Sequence, residues 1–372
     1  MEAQDPWNRW LDLQGVPPVR PGPGGQPSRP AWGPAWSATA AILALLALAG
    51  CPAGGPNAEP GPRPGVDVYA AGWESAGTRP VAMVWKNWNA SPLSDGQGSA
   101  QAYGLAVAQK DVYVVGQVTD LASNRDTAMV WKNGVGRPLT DGTRDATATG
   151  VAVAGTDVYV VGYQVDARTG KSVAMVWRNG QGRALTDGTQ DARAWAVAVA
   201  GNRVHVAGSQ GPTARAQVAT VWTDGVAVAL TDGTRPGVAR ALALAGNDLY
   251  ATGSEGNEVK VWKNGHLFAT LTRGARYASG TGITVAGTDV YVAGFEGNVA
   301  TLWKNGTPQA LTDGTRIASA WSVAVAGTDV YAAGDELSDQ EDAARVWKNG
   351  TPVALTEWTN LARAAAVQVV SR

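Results

Sequence analysis

The sequence predicts an all-β repeat protein, on three observations. A tryptophan preceded by Val or Leu returns at Trp85, Trp131, Trp177, Trp222, Trp262, Trp303 and Trp347, at spacings of 46, 46, 45, 40, 41 and 44 residues. The segments between are short runs rich in Val, Tyr, Trp and Thr, bounded by Gly, Asn and Asp, with no helical spacing of apolar residues. The two ends of the array complement each other: the first copy lacks a strand that the last copy has to spare.

One copy, Val151 to Thr189, reads VAVAGTDVYVVGYQVDARTGKSVAMVWRNGQGRALTDGT and divides into four strands. Strand a is VAVAG, b is DVYVVG, c is AMVWRNG and d is the brief RALTD. Strands a and b are joined by Gly155-Thr156, and by Gly246-Asn247 or Gly327-Thr328 in other copies, where glycine supplies the positive φ of a two-residue hairpin. Strands c and d are joined by Asn-Gly at Asn133, Asn179, Asn264, Asn305 and Asn349, the strongest short hairpin signal. Each unit is therefore a four-stranded antiparallel meander, and a unit of this size must stack on its neighbours to bury its apolar faces.

Seven meanders can form a ring or an open stack. The first copy begins at strand b, Val66 to Gly72, whereas the chain ends in an unpaired strand a, Ala366 to Val370. Pairing these two closes the ring and removes the exposed sheet edges that invite aggregation. In this arrangement the chain resembles a seven-bladed β-propeller whose closing blade is built from both termini. It is also similar to uncharacterised bacterial cell-envelope lipoproteins with DVYVAGY, VWKNG and LTDGT repeats. The resemblance covers residues 66–372 and implies the fold, but it carries no catalytic residues.

The 372 residues, 45% hydrophobic and 16% charged, suffice for one large propeller domain. A formal charge of -1 and the lack of any Lys/Arg run argue against nucleic acid as a partner. The longest apolar run, near residues 40–49, falls short of the about 18 residues of a membrane-spanning helix. That run, ATAAILALLALAG from Ala38 to Gly50, precedes the single cysteine and reads as a secretory signal. Leu48-Ala49-Gly50-Cys51 looks like a bacterial lipobox, which makes Cys51 the expected lipidation site. Export to the cell envelope follows, with a membrane contact through the lipid anchor alone. Pro52 rather than Asp after the cysteine is compatible with the outer membrane.

The preceding PVRPGPGGQPSRPAWGP is too long and too rich in Pro and Gly for an ordinary signal n-region. Either translation begins nearer Val16 or Val19, leaving Arg20 and Arg29 as the positive charges, or a disordered extension precedes the signal. The first is the preferred expectation. The organisation is thus residues 1–51 for the extended signal region, 52–65 for a Pro/Gly-rich linker and 66–372 for the propeller.

The residues that recur in every copy read as architecture. The seven tryptophans should wedge between blades, as should Tyr69, Tyr113, Tyr159, Tyr250, Tyr291 and Tyr331, with His205 as a core substitution in the remaining tyrosine slot. His266 follows a turn and should be exposed. The Asp-Gly pairs at Asp95, Asp141, Asp187, Asp232 and Asp313 are single carboxylates that suit Asx turns, and Arg273 or Glu357 replaces them elsewhere, so no metal is expected.

Function is sought where the copies differ. The b-to-c loops vary in length and sequence, and one column just before strand a reads Tyr103, Thr149, Trp195, Arg240, Thr281, Trp321 and Ala365. These side chains should meet at the mouth of the central channel, where Tyr103, Thr149, Trp195, Arg240, Thr281 and Trp321 are the candidate ligand-binding residues; packing that only plugs the channel is the alternative. No catalytic set and no cofactor site is recognised. Loop carboxylates Glu74, Asp120, Asp166, Glu255, Glu296 and Asp335 could supply a pair for glycoside cleavage, while the acidic run Asp335 to Asp342 reads as a solvated loop. The expectation is a monomeric, non-catalytic, tethered binding or scaffold propeller for a protein or carbohydrate ligand. A glycan-active hydrolase or lyase using the loop carboxylates is the alternative.

Overall fold

Each Asn-Gly and Gly-Thr pair folds the chain back where the hairpin chemistry requires. Asn179 and Gly180 both take positive φ, 52° and 83°, and Gly155 takes 61°, values that match the right-handed twist of the strands they join. In the computed structural model, which describes residues 61–76, 79–337, 342–356 and 362–372, this produces seven separate four-stranded antiparallel sheets. The third blade, for example, consists of Ala146–Ala154, Asp157–Val165, Ser172–Arg178 and Gln181–Ala184. The outermost strand begins directly after the Asn-Gly turn, earlier than the expected RALTD. The leucine of that motif still extends the ladder, since Leu185 N donates to Ala174 O at 2.8 Å.

The ring closes as the chain ends require. Ala362–Ser371 pairs with Val66–Ala76, so the first blade takes its inner strand from the C-terminal end and its three outer strands from the N-terminal end. The fold is therefore all-β, a seven-bladed propeller. Cys51, the signal segment and the linker up to residue 60 lie outside the described residues. Among those described, no helix is long and apolar enough to cross a membrane.

The core is a set of layers between blades rather than one central mass. Trp177 sits in a cluster with Ala106, Val115, Ala128 and Val130 of the preceding blade, and all seven repeated tryptophans are at most 2% exposed. Each ring removes roughly 150–250 Å² from water, worth roughly 4–6 kcal/mol at about 25 cal/mol per Å².

A polar clasp accompanies six of the seven layers on the face of the a-to-b and c-to-d turns. In the second blade Asn133 Oδ1 accepts from Val112 N at 2.8 Å, while its amide donates to Asp111 at 2.7 Å. Lys132 pairs with Asp111 at 3.0 Å and lies over the Tyr113 ring. The Asn133 amide, followed by the Lys132 ammonium, holds the Asp111 carboxyl below the usual range. At the Asp-Gly turns Asp141, Asp187, Asp232 and Asp313 each accept the backbone N–H and hydroxyl of the threonine two residues on, as the Asx-turn reading expects.

Replacing Trp177 by Ala empties one inter-blade layer. Urea unfolding of Trp177→Ala is expected to show a loss of roughly 3–5 kcal/mol, the usual range for deleting a buried ring; a loss below about 1 kcal/mol would show that the wedge does not hold the blades together.

Candidate functional site

The channel is lined by residues that the strand ladder expels. In the inner strand of the third blade the pairing jumps from Ala148 to Gly150, leaving Thr149 as the extra residue of a β-bulge. The same jump skips Tyr103, Trp195, Arg240, Thr281 and Trp321 in their blades, and Ala365 in the closing strand. The glycine of each DVYVVG-type strand makes room for this. A Cβ on Gly162 would collide with the carbonyl oxygen of Thr147 on the bulged strand, so the bulge and the glycine require each other.

All seven bulge residues line one cavity of about 340 Å³ at the ring axis, together with Thr147, Tyr163 and Arg363. Their local roles differ. The Thr149 hydroxyl is bound to the carbonyls of Val161 and Ala194, at 3.1 and 2.8 Å, and that of Thr281 to the carbonyls of Ala293 and Ala320. Those two hydroxyls join neighbouring blades and are not free for a ligand. Tyr103 donates to Gln101 Oε1 at 2.7 Å and packs edge-on against Trp73, and burial pushes its phenol well above the usual range.

Two arginines reach the cavity, one paired with a carboxylate and one, among the described residues, not. Arg363 is stacked between Trp73 and Trp321, at 4.9 and 4.4 Å, and its Nε donates to Asp335 Oδ2 at 2.7 Å. Trp321 Nε1 donates to the other oxygen of Asp335 at 2.8 Å. Burial raises the Asp335 carboxyl above the usual range, against the downward pull of Arg363 and Trp321. Arg240 lies over the Trp195 ring at 5.0 Å, and its Nε is enclosed with no hydrogen-bond partner among the described residues. Burial pushes its pKa down, yet a guanidinium stays charged. Trp195 Nε1 is likewise enclosed and unpartnered. A second cavity of about 490 Å³ adjoins the same Trp195 and Arg240 and includes Arg193, which lies over Tyr163 at 4.7 Å.

Sequence reasoning placed the bulge column in one place but missed Arg363, Thr147 and Arg193. These occupy the position two residues before the bulge in their blades, so the aligned repeats contained the signal. Tyr163 comes from the neighbouring strand, directly after its repeated glycine, in a column that also holds Trp73, Phe295 and Asp335. The acidic run is not a solvated loop where it is described: Asp335 and Asp342 are 1% and 7% exposed, because both belong to strands rather than to the turn. The other loop carboxylates are dispersed. Asp120 and Asp166 accept backbone N–H groups of their own turns, and Glu255 pairs with Arg235 at 2.9 Å. Among the described residues no group of His, Cys, Asp and Glu is arranged to hold a metal ion. His205 is buried and His266 exposed.

No protein-family model and no curated protein matches the chain. Solved propellers do. An acylaminoacyl peptidase in complex with Z-Gly-Gly-Phe-chloromethyl ketone is 12% identical over 81% of this chain and 52% of its own, with a TM-score of 0.46. The β-propeller domain of the trilobed protease from Pyrococcus furiosus is 10% identical over 81% of this chain and 97% of that domain, with a TM-score of 0.47. A chain from a study of two prolyl endopeptidases is 12% identical, with 82% and 51% coverage and a TM-score of 0.48. The chain spans about half the length of the acylaminoacyl peptidase and prolyl endopeptidase that it matches. These findings overturn the functional expectation from sequence, the tethered scaffold for a protein or carbohydrate and its glycan-cleaving alternative, because the matched propellers belong to peptidases. At this identity the likeness concerns the ring fold and transfers no activity.

The Asp335 pocket has a pH signature. A carboxyl whose pKa is raised on folding binds its proton more tightly in the native state, so its contribution is full below the unfolded pKa and is lost as pH rises through the folded value. The stability of the wild type relative to Asp335→Asn is therefore expected to fall as pH rises from about 4, measured by urea unfolding at several pH values. A difference that grows with pH would mean that Arg363 and Trp321 outweigh burial.

Proposed function

We propose that the protein binds a small carboxylate-bearing molecule at the mouth of its channel. The reading rests on Arg240: a charged guanidinium in the wall of a cavity, with an enclosed, unpartnered Nε and no carboxylate partner among the described residues. Leaving such a group uncompensated is costly, and an anion entering the cavity supplies the missing acceptor. Trp195 and Trp321 offer ring faces beside the charge, and the unpaired Trp195 Nε1 is a second donor. Arg363 does not compete for this role, since Asp335 already neutralises it. A cavity of about 340 Å³ suits a ligand of one or two rings.

Benzoate and its neutral counterpart benzamide separate charge recognition from simple ring burial, and calorimetry reads both. Benzoate is expected to bind and benzamide to bind far more weakly. Arg240→Gln should weaken benzoate by about 10- to 100-fold, the equivalent of one charge-assisted hydrogen bond of roughly 1.5–3 kcal/mol. Equal binding of the two probes, or benzoate affinity unchanged in Arg240→Gln, contradicts the proposal.

The lipobox-like Leu48-Ala49-Gly50-Cys51 supports a separate reading, that the chain is exported and carried on a bacterial membrane by lipidated Cys51. Intact mass and fractionation of Cys51→Ser test it in a bacterial host. Loss of a lipid-sized mass and of membrane association is expected; an unchanged mass removes the anchor.

A further inference from the structure

One blade of the seven departs from the polar clasp at every position. In six blades a tyrosine lies beneath a Lys or Arg, with cation-to-ring distances of 5.2–5.9 Å. The cation in turn faces an Asp two residues before the tyrosine. In the fourth blade His205 replaces the tyrosine, Thr223 the lysine, Arg203 the aspartate and Asp224 the turn asparagine. The substitutions are mutually consistent. Asp224 still accepts Val204 N at 2.9 Å and pairs with Arg203 at 3.6 Å, so the charges have changed places, and His205 Nδ1 is held by Thr223 Oγ1 at 2.9 Å.

The exchange removes volume that nothing else refills. Between the first and second blades, where Tyr69 and Lys86 are in place, the corresponding groove holds a cavity of about 230 Å³. Between the fourth and fifth blades it holds about 820 Å³, walled by His205, Thr223, Leu249, Trp262, Asn247 and Asn264. A second, independent departure borders the same groove. The outer strands on its two sides, Val226–Ala229 and His266–Thr270, expose Val226, Val228 and Leu267, at 45–69%, and Val228 lines the groove itself. The outer strands of the first, third and sixth blades read NASP, QGRA and TPQA and carry no such rim.

We propose that this groove is a binding site for a small molecule carrying a phenol-type ring, which packs beside His205 and Thr223 in space that the larger tyrosine and its cation fill in the six other blades. The protein itself supplies the template for the ligand. A flat apolar ring with one polar edge packs in that slot six times, and here the smaller imidazole of His205 stands in for it, leaving Leu249 and Trp262 on the wall of an open groove. His205 and Thr223 offer hydrogen-bonding groups in place of a cation over the ring. Burial, then the Arg203 charge, pushes the His205 pKa down and favours the neutral imidazole, which can accept a phenolic proton. The site lies on the turn face of the ring and shares no residue with the Arg240 cavity.

The probe is p-cresol, the side chain of tyrosine as a free molecule, with cyclohexanol as a hydroxylated control of similar size. Saturation-transfer NMR on the full chain is expected to show saturable p-cresol binding, with cyclohexanol weaker by about tenfold, since a ligand of so few atoms depends on its full ring contact. Restoring the clasp with His205→Tyr and Thr223→Lys should abolish the p-cresol signal, whereas Arg240→Gln should leave it intact. If the double variant does not fold, His205→Phe fills the slot with a single change and should also abolish it. Absence of p-cresol binding, equal binding of cyclohexanol, or undiminished binding in the refilled variant that folds overturns the proposal.

Discussion

The inability of a single four-stranded meander to bury both of its faces governs this molecule. Each blade presents apolar side chains on two sides, and only a neighbour on each side takes them out of water. The repeated tryptophan meets this demand by filling the layer between adjacent blades, as Trp177 does against Ala128 and Val130. Closure follows from the same demand. The first blade completes its sheet with Ala362–Ser371, so the last blade finds a partner face in the cluster that joins Tyr331 and Val346 to Val68 and Trp85.

Repetition made the fold legible in the sequence. Tryptophan spacing, turn dipeptides and the missing and surplus strands at the two ends each depend on local chemistry that single residues declare. The column from Tyr103 to Ala365 was legible for the same reason, since aligned copies place equivalent residues at equivalent positions around an axis. What the sequence did not declare was non-local. The acidic run from Asp335 looks like solvent-facing charge until Arg363, 28 positions later, arrives on the closing strand and pairs with its first member. Tyr163 enters the cavity from the neighbouring strand, in a column whose other copies range from Trp73 and Phe295 to Ser209 and Asp335, so no single residue type marks it. The void beside His205 depends on the simultaneous exchange of a phenol for a smaller imidazole and of a long cationic chain for Thr223, and residue identity at one position understates it.

The two arginines of the cavity show how burial and pairing compete. Arg363 and Asp335 form an ion pair that also receives the Trp321 indole N–H, so the charges and most of their hydrogen-bonding capacity are used internally. Arg240 has the Trp195 face as a cation–π partner but, among the described residues, no acceptor for its Nε. The same side chain type is thus structural on one side of the axis and available on the other. The two hold different positions in their blades, Arg240 as the bulge residue and Arg363 two residues before the bulge on a paired strand position, so each meets a different set of neighbours.

The β-bulges separate what a blade needs for folding from what it shows to the axis. Because the extra residue stands outside the strand alternation, its side chain neither enters an inter-blade layer nor sets the register of the ladder. The position accordingly holds Tyr, Thr, Trp, Arg, Thr, Trp and Ala in one molecule without disturbing the ring. Such a scaffold is a seven-slot socket whose contents can be rewritten one slot at a time. Mutational drift or design at these slots would change size, charge and polarity around the axis in nearly independent steps, except where a threonine hydroxyl bridges blades as at Thr149 and Thr281.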